Sequence, residues 1–154
     1  MTHLTKTTTA TRFIEFSLSS SQTVSVGNII KFDSSTKRTT GGDSVSYDSA
    51  TGVLSLSSSK NYWVQAAVHC QRSANTDYNL YWVTDSNVSD IGPANGGFEL
   101  YVHRGGGSIK TSSSHVASLM VDSPATGFRL YVKYMPTNST ITTKSSLFII
   151  ECDP

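Results

Sequence analysis

Apolar and polar residues alternate along much of this chain with a period of two, the repeat of a strand that buries one face. From 62 to 70, Tyr62, Val64, Ala66, Val68 and Cys70 take the even positions, and Trp63, Gln65, Ala67 and His69 the odd ones. The even set is expected to face a core. The same parity runs through 78 to 83 (Tyr78, Leu80, Trp82 against Asn79, Tyr81, Val83) and 98 to 103 (Phe98, Leu100, Val102 against Glu99, Tyr101, His103). It recurs in 128 to 135, with Phe128, Leu130, Val132 and Tyr134 inward and Arg129, Tyr131, Lys133 and Met135 outward. Shorter strands are predicted over Arg12 to Leu18, Val24 to Val26, Ile29 to Phe32, Val45 to Tyr47, Val53 to Leu56, His115 to Val121 and Leu147 to Cys152.

Val116, Leu119 and Met120 also fit a helical turn by spacing, but no capping residue starts a helix there and every neighbour reads as strand. Between the runs lie TTGGDS (39 to 44), SATG (49 to 52), GPANGG (92 to 97), RGGGS (104 to 108) and SPATG (123 to 127), all rich in turn formers. Short strands without helical interludes predict an all-β fold, an antiparallel sandwich or barrel, with the jelly roll as first choice. Residues 1–11 are Thr-rich, with Leu4 as their one large aliphatic residue, and offer no face to bury. They are expected to form an N-terminal arm, flexible or ordered by a partner, ahead of a single domain at 12–154.

Composition sharpens this picture. The chain has 154 residues, 37% of them hydrophobic but only 15% charged, so hydroxyls and amides carry its solubility. The net charge of +1 gathers into no basic run, which argues against nucleic acid and anionic lipid as partners. No apolar stretch reaches the length of a membrane span, and MTHLTKTTTATR lacks the apolar core of a secretory signal. With Met1 as the true start, synthesis in a cytoplasm is expected. Cys70 and Cys152 have no metal-type spacing; both lie on the apolar side of their segments, as buried thiols or as one bridge between neighbouring strands.

Candidate chemistry is sparse. His69 and Cys70 are adjacent in a strand, so their side chains point to opposite faces and cannot act as a nucleophile and base pair. His3, His69, His103 and His115 are scattered, no carboxylate cluster marks a metal, and RGGGS lacks the Lys-Ser/Thr pair of a phosphate loop. Asp77, Asp85, Asp90, Asp122 and Asp153 fall in turns or at strand ends, where Asp bonds its own backbone. The sequence therefore predicts no catalytic residue, no metal, no cofactor and no enzyme.

Trp63, Tyr81, Tyr101 and Tyr131 sit on faces that the alternation turns to water, and Phe148 joins them because LFIIEC is apolar on both sides. Full burial of one aromatic ring, with about 150–250 Å² of surface, is worth about 4–6 kcal/mol before the costs of association. These five residues are expected to form a subunit interface.

The run NIIKFDSS, then VSYDSATGVLSLSSSKNYWVQAAVHC, resembles the N-terminal half of the tumour-necrosis-factor and complement-type globular head. The pattern is an apolar strand ending in Phe32-Asp33, then Tyr47-Asp48, a Thr51-Gly52 turn, a short strand Val53 to Leu56 and a Tyr62-led central strand; SSSK stands where the family has Pro-Gly. YNLYWVTDSNVSDIG, GFRLYVKY and SLFIIEC are similar to the bacteriophage versions of this head, found in capsid decoration proteins and fibre tips. The resemblance implies a TNF-like antiparallel jelly-roll sandwich of about ten strands that assembles as a compact homotrimer. It also implies a virion structural protein that decorates and cements a capsid surface. Thr2, His3, Leu4, Lys6 and Arg12 of the arm would then grip the major capsid protein. The alternative is a receptor-binding head of a tail or head fibre, recognising a host-surface glycan or protein through exposed loops.

Overall fold

Tyr62 to Cys70 lie within an eleven-residue strand whose even side chains are fully buried, as the alternation predicts. The computed structural model describes residues 12–39, 44–71, 79–84, 87–90, 100–101, 112–122, 127–136 and 139–152. In chain order the strands are β1 (Arg12–Ser17), β2 (Gln22–Val24), β3 (Ile29–Ile30), β4 (Asp33–Thr39), β5 (Val45–Asp48), β6 (Val53–Leu56) and β7 (Asn61–Gln71). There follow β8 (Asn79–Thr84), β9 (Asn87–Asp90), β10 (Leu100–Tyr101), β11 (Ser112–Asp122), β12 (Phe128–Tyr134), β13 (Ser139–Ile141) and β14 (Ser146–Cys152). Segment 115–121, open to a helical reading by spacing, is part of β11 and pairs with β7 along its whole length.

The strands make two antiparallel sheets. In the first, β7 lies between β11 and β14, and β1 then β4 continue outward from β14. Where β14 leaves β7, β13 takes over at Cys70 and Gln71, with β2 beyond it. In the second, the order is β10, β8, β12, β6, β5, with β3 also on β12 and β9 on β8. Ile14, Phe16, Val64, Val68, Leu147 and Ile149 from the first sheet meet Leu54, Leu80, Trp82, Leu130 and Val132 from the second in one core. The outer faces of the two sheets therefore point in opposite directions.

Three strands escape the pattern of the sequence. β4 (DSSTKRT), β9 (NVSD) and β13 (STI) are polar or short, and their ladders show what their composition hides. β8 is also buried on both sides: Leu80 and Trp82 face the core, while Tyr81 and Val83 are covered on the outer face. There they stand opposite Tyr131 and Arg129 of β12, two long side chains. A third departure closes β12. The register slips between Val132 and Tyr134, so Tyr134, expected inside, is exposed and Met135, expected outside, is buried. One extra residue in a strand reverses every face after it.

The SATG turn is built around Asp48. Its carboxylate accepts from the Ala50 N–H at 2.9 Å and the Thr51 hydroxyl at 2.6 Å, and its carbonyl accepts from the Gly52 N–H at 2.7 Å. These bonds, the Thr51 hydroxyl first, hold the Asp48 carboxyl below its usual range. Next to it, the Tyr47 ring packs on Phe16 at 5.0 Å, and its hydroxyl accepts from the Phe32 N–H at 2.8 Å. Burial, opposed by that bond and aided by the Asp48 charge, pushes the phenol up to about 12.

Gly52 and Gly27 both have positive φ, 78° and 90°, but a side chain would meet different surroundings. A Cβ on Gly52 would stand 2.6 Å from Ile29 Cγ2, whereas a Cβ on Gly27 would meet nothing within 4 Å. Gly27→Ala should cost only the left-handed penalty, about 1–2 kcal/mol. Gly52→Ala adds displacement of Ile29 and should cost about 2–3 kcal/mol. Urea midpoints with unchanged slopes check the pair, and equal losses would remove the Ile29 contact from the account.

Candidate functional site

The outer face of the first sheet is where the structure concentrates uncovered apolar surface. Across four strands Met120, Trp63, Ile150 and Phe13 are successive register partners, so they form one rung. The next rung on this face is Ser118, Gln65, Phe148 and Glu15, and the one after it Val116, Ala67, Ser146 and Ser17. Met120 is 61% exposed, Val116 47% and Trp63 38%. The Phe13 and Phe148 rings stack diagonally between rungs, their centroids 5.6 Å apart. An apolar patch rimmed by polar residues marks a contact surface.

This arrangement divides the predicted interface residues. Trp63 and Phe148 belong to the patch. Tyr81 and Tyr131 lie opposite one another on the outer face of the other sheet, and Tyr81, only 9% exposed, is already covered by its own chain. That burial corrects the expectation of a water-facing ring at 81. Tyr101 is in β10, at the edge of that second sheet, and its side chain lies outside the described residues. The described members of the five therefore lie on two sheets, because parity within a strand says which face a residue takes but not which sheet carries it. The patch also contains Phe13, Val116, Met120 and Ile150, which the aromatic count passed over. The double-sided apolarity of SLFIIEC was the available signal for Ile150.

One step along the strands, on the opposite, core-facing side of the same sheet, lies a charged rung, Arg12, Glu151 and Tyr62. The Glu151 side chain is 5% exposed and receives three contacts. Arg12 Nη1 stands 3.5 Å and Lys60 Nζ 3.3 Å from its Oε1, and the Ser44 hydroxyl donates to its Oε2. Burial alone would raise this carboxyl; the Ser44 and Lys60 hydrogen bonds and the two positive charges outweigh it and hold it below the ordinary range. Arg12, expected in the arm, is thus tied to the sheet. Thr2, His3, Leu4 and Lys6 lie outside the described residues.

His69 and Cys70 do point to opposite faces. Cys70 is in the core, and His69 Nδ1 lies 2.8 Å from Thr142 Oγ1 on the outer face. Ser145 Oγ is spent on the backbone of His69, accepting from its N–H at 2.9 Å and donating to its carbonyl at 3.4 Å. These bonds clamp the 142–145 turn to β7 and leave no aligned nucleophile. Cys70 and Cys152 are not bridged. Among the described residues, no three His, Cys, Asp or Glu side chains converge as metal ligands.

No protein-family model matches the sequence, and no curated protein matches it. Solved structures do match the fold. The chain is similar to Eiger TNF from S. frugiperda, with 9% identity, 93% of each chain covered and a TM-score of 0.60. It is similar to murine APRIL, with 6% identity, 92% of this chain and 98% of that one covered and a TM-score of 0.57. A looser likeness is to the PRD1 vertex protein P5, with 14% identity, 93% and 96% covered and a TM-score of 0.47. The fold is a TNF-like jelly roll.

Proposed function

We propose that this chain is a non-catalytic head that assembles as a homotrimer through the outer face of its first sheet and serves as a capsid decoration protein of a bacteriophage. One observation carries the assembly: the rung Met120, Trp63, Ile150 and Phe13 and its neighbours Val116 and Phe148 form a continuous apolar surface on a sheet whose other side already fills the core. The TNF-like fold supports the reading, since the head resembled in the sequence is a trimeric one. What supports a virion role is the likeness of YNLYWVTDSNVSDIG and GFRLYVKY to phage heads. A three-fold head matches a local three-fold point on a shell, where each copy makes the same contact and weak grips multiply.

Shells lacking the protein should bind purified trimer and regain resistance to heat and osmotic shock, while adsorption to host cells stays unchanged. Removal of residues 1–11 should abolish binding to shells and leave a soluble trimer. Normal shell stability with lost adsorption would overturn the decoration role in favour of receptor binding.

A further inference from the structure

Where β2 of the first sheet comes up against β3 and β12 of the second, an open groove of about 780 Å³ runs between these strands, the 25–28 turn and the SATG turn. Its size falls in the range of about 300–1,000 Å³ typical of small-molecule sites. Arg129 places one wall on the outer face of the second sheet, because Phe128, Leu130 and Val132, beside it in β12, fill the core, and β2 of the first sheet forms the other wall. Lys31 and Arg129 line it, together with Gln22, Thr23, Asn28 and Thr51, and among the described residues no carboxylate does.

The walls are fixed before any ligand arrives. Gln22 holds both main-chain groups of Lys31, accepting from its N–H at 3.2 Å and donating to its carbonyl. Asn28 Oδ1 accepts from the Ser25 N–H at 2.8 Å, and the turn is hung on β12 by Gly27 N–H to Val132 carbonyl at 2.9 Å and Val132 N–H to Asn28 carbonyl at 2.8 Å. Asp48 braces the far wall through Ala50, Thr51 and Gly52. Its exposed carboxylate is within reach of the Lys31 charge.

We infer that this groove binds an acidic saccharide. Lys31 supplies recognition of a carboxylate, and the Asn28 amide and Thr23 and Thr51 hydroxyls, spread along the groove, suit a chain of sugar hydroxyls. A compact phosphate would be cradled by consecutive main-chain N–H groups. Here the N–H groups of Gly27, Asn28, Lys31, Ala50 and Gly52 are all donated within the protein, so an anion must be read by side chains. An apolar ligand would find little beyond Val24 and Ile29. None of its described lining residues belongs to the proposed seam, and the groove appears once per copy. The inference holds whichever surface carries the head.

The test is titration of the isotope-labelled full chain with trigalacturonate and with sialyllactose, followed by amide shifts. Neutral counterparts are the methyl-esterified trigalacturonate and lactose, and sodium phosphate is the bare anion. At least one acidic sugar should give saturable shifts concentrated at residues 22–24, 27–31 and 50–52. Its neutral counterpart, phosphate, and the Lys31→Glu variant with its acidic sugar should each bind about tenfold more weakly or worse. No saturable shift with either acidic sugar, equal binding of the neutral forms, or equal binding of phosphate would each overturn the assignment. So would full affinity in a correctly folded Lys31→Glu chain.

Discussion

Met120→Glu is expected to turn the proposed trimer into monomers at micromolar concentration, and Trp63→Glu to do the same. Met120 projects most of its surface into water in the single chain, so its replacement costs the isolated fold almost nothing and reads the contact alone. Trp63 has 38% of its surface left to bury. That fraction of an aromatic ring is worth about 1.5–2.5 kcal/mol in each copy. A carboxylate in its place does more harm than the missing ring, because desolvating an ion at a closed seam costs several kcal/mol. Three equivalent seams multiply both terms. Sedimentation velocity checks the outcome. Val26→Glu is the control: Val26 is also exposed, but it lies on the 25–28 turn, away from the patch, and should leave the assembly intact. A trimer unmoved by both seam variants, or a wild-type monomer, would remove this face from the assembly.

How the patch escaped a reading by residue type is instructive. Alternation along β7 and the first part of β12 is faithful, because each buries one side in a common core and has regular ladders on both edges. The jelly-roll class follows from such strands and their turns. Alternation fails where a strand is covered twice, as in β8, and where the register slips, as after Val132. Neither event leaves a mark on hydropathy. The polar ladder of β4 is invisible for a related reason: a strand paired with only β1 needs few apolar residues. The rung itself is assembled from β11, β7, β14 and β1, segments up to 137 positions apart in the chain (Phe13 and Ile150), and only register brings them into line. A methionine and an isoleucine in that line matter as much as the tryptophan between them. Glu151 was hidden similarly. An acidic residue in SLFIIEC reads as a solvated strand end until Arg12, Lys60 and Ser44 converge on it.

Glu151→Gln should therefore be the most damaging single-atom-scale change outside the core, and its effect should depend on pH. Breaking a buried ion pair costs about 3–5 kcal/mol when the orphaned partner stays buried. Arg12 and Lys60 keep 41% and 31% of their side chains in water, so both rehydrate and the expected loss at neutral pH falls to about 2–3 kcal/mol. The folded carboxyl titrates below its ordinary value of 4.5. Its contribution is accordingly complete above the pKa of the unfolded chain and is lost as pH falls through the lower, folded pKa. Denaturation of wild type and variant at pH 7 should differ by that amount, and the gap should close as pH falls through the lowered, folded pKa and the wild-type carboxyl takes up a proton. A gap independent of pH would mean that shape, not charge, holds this corner.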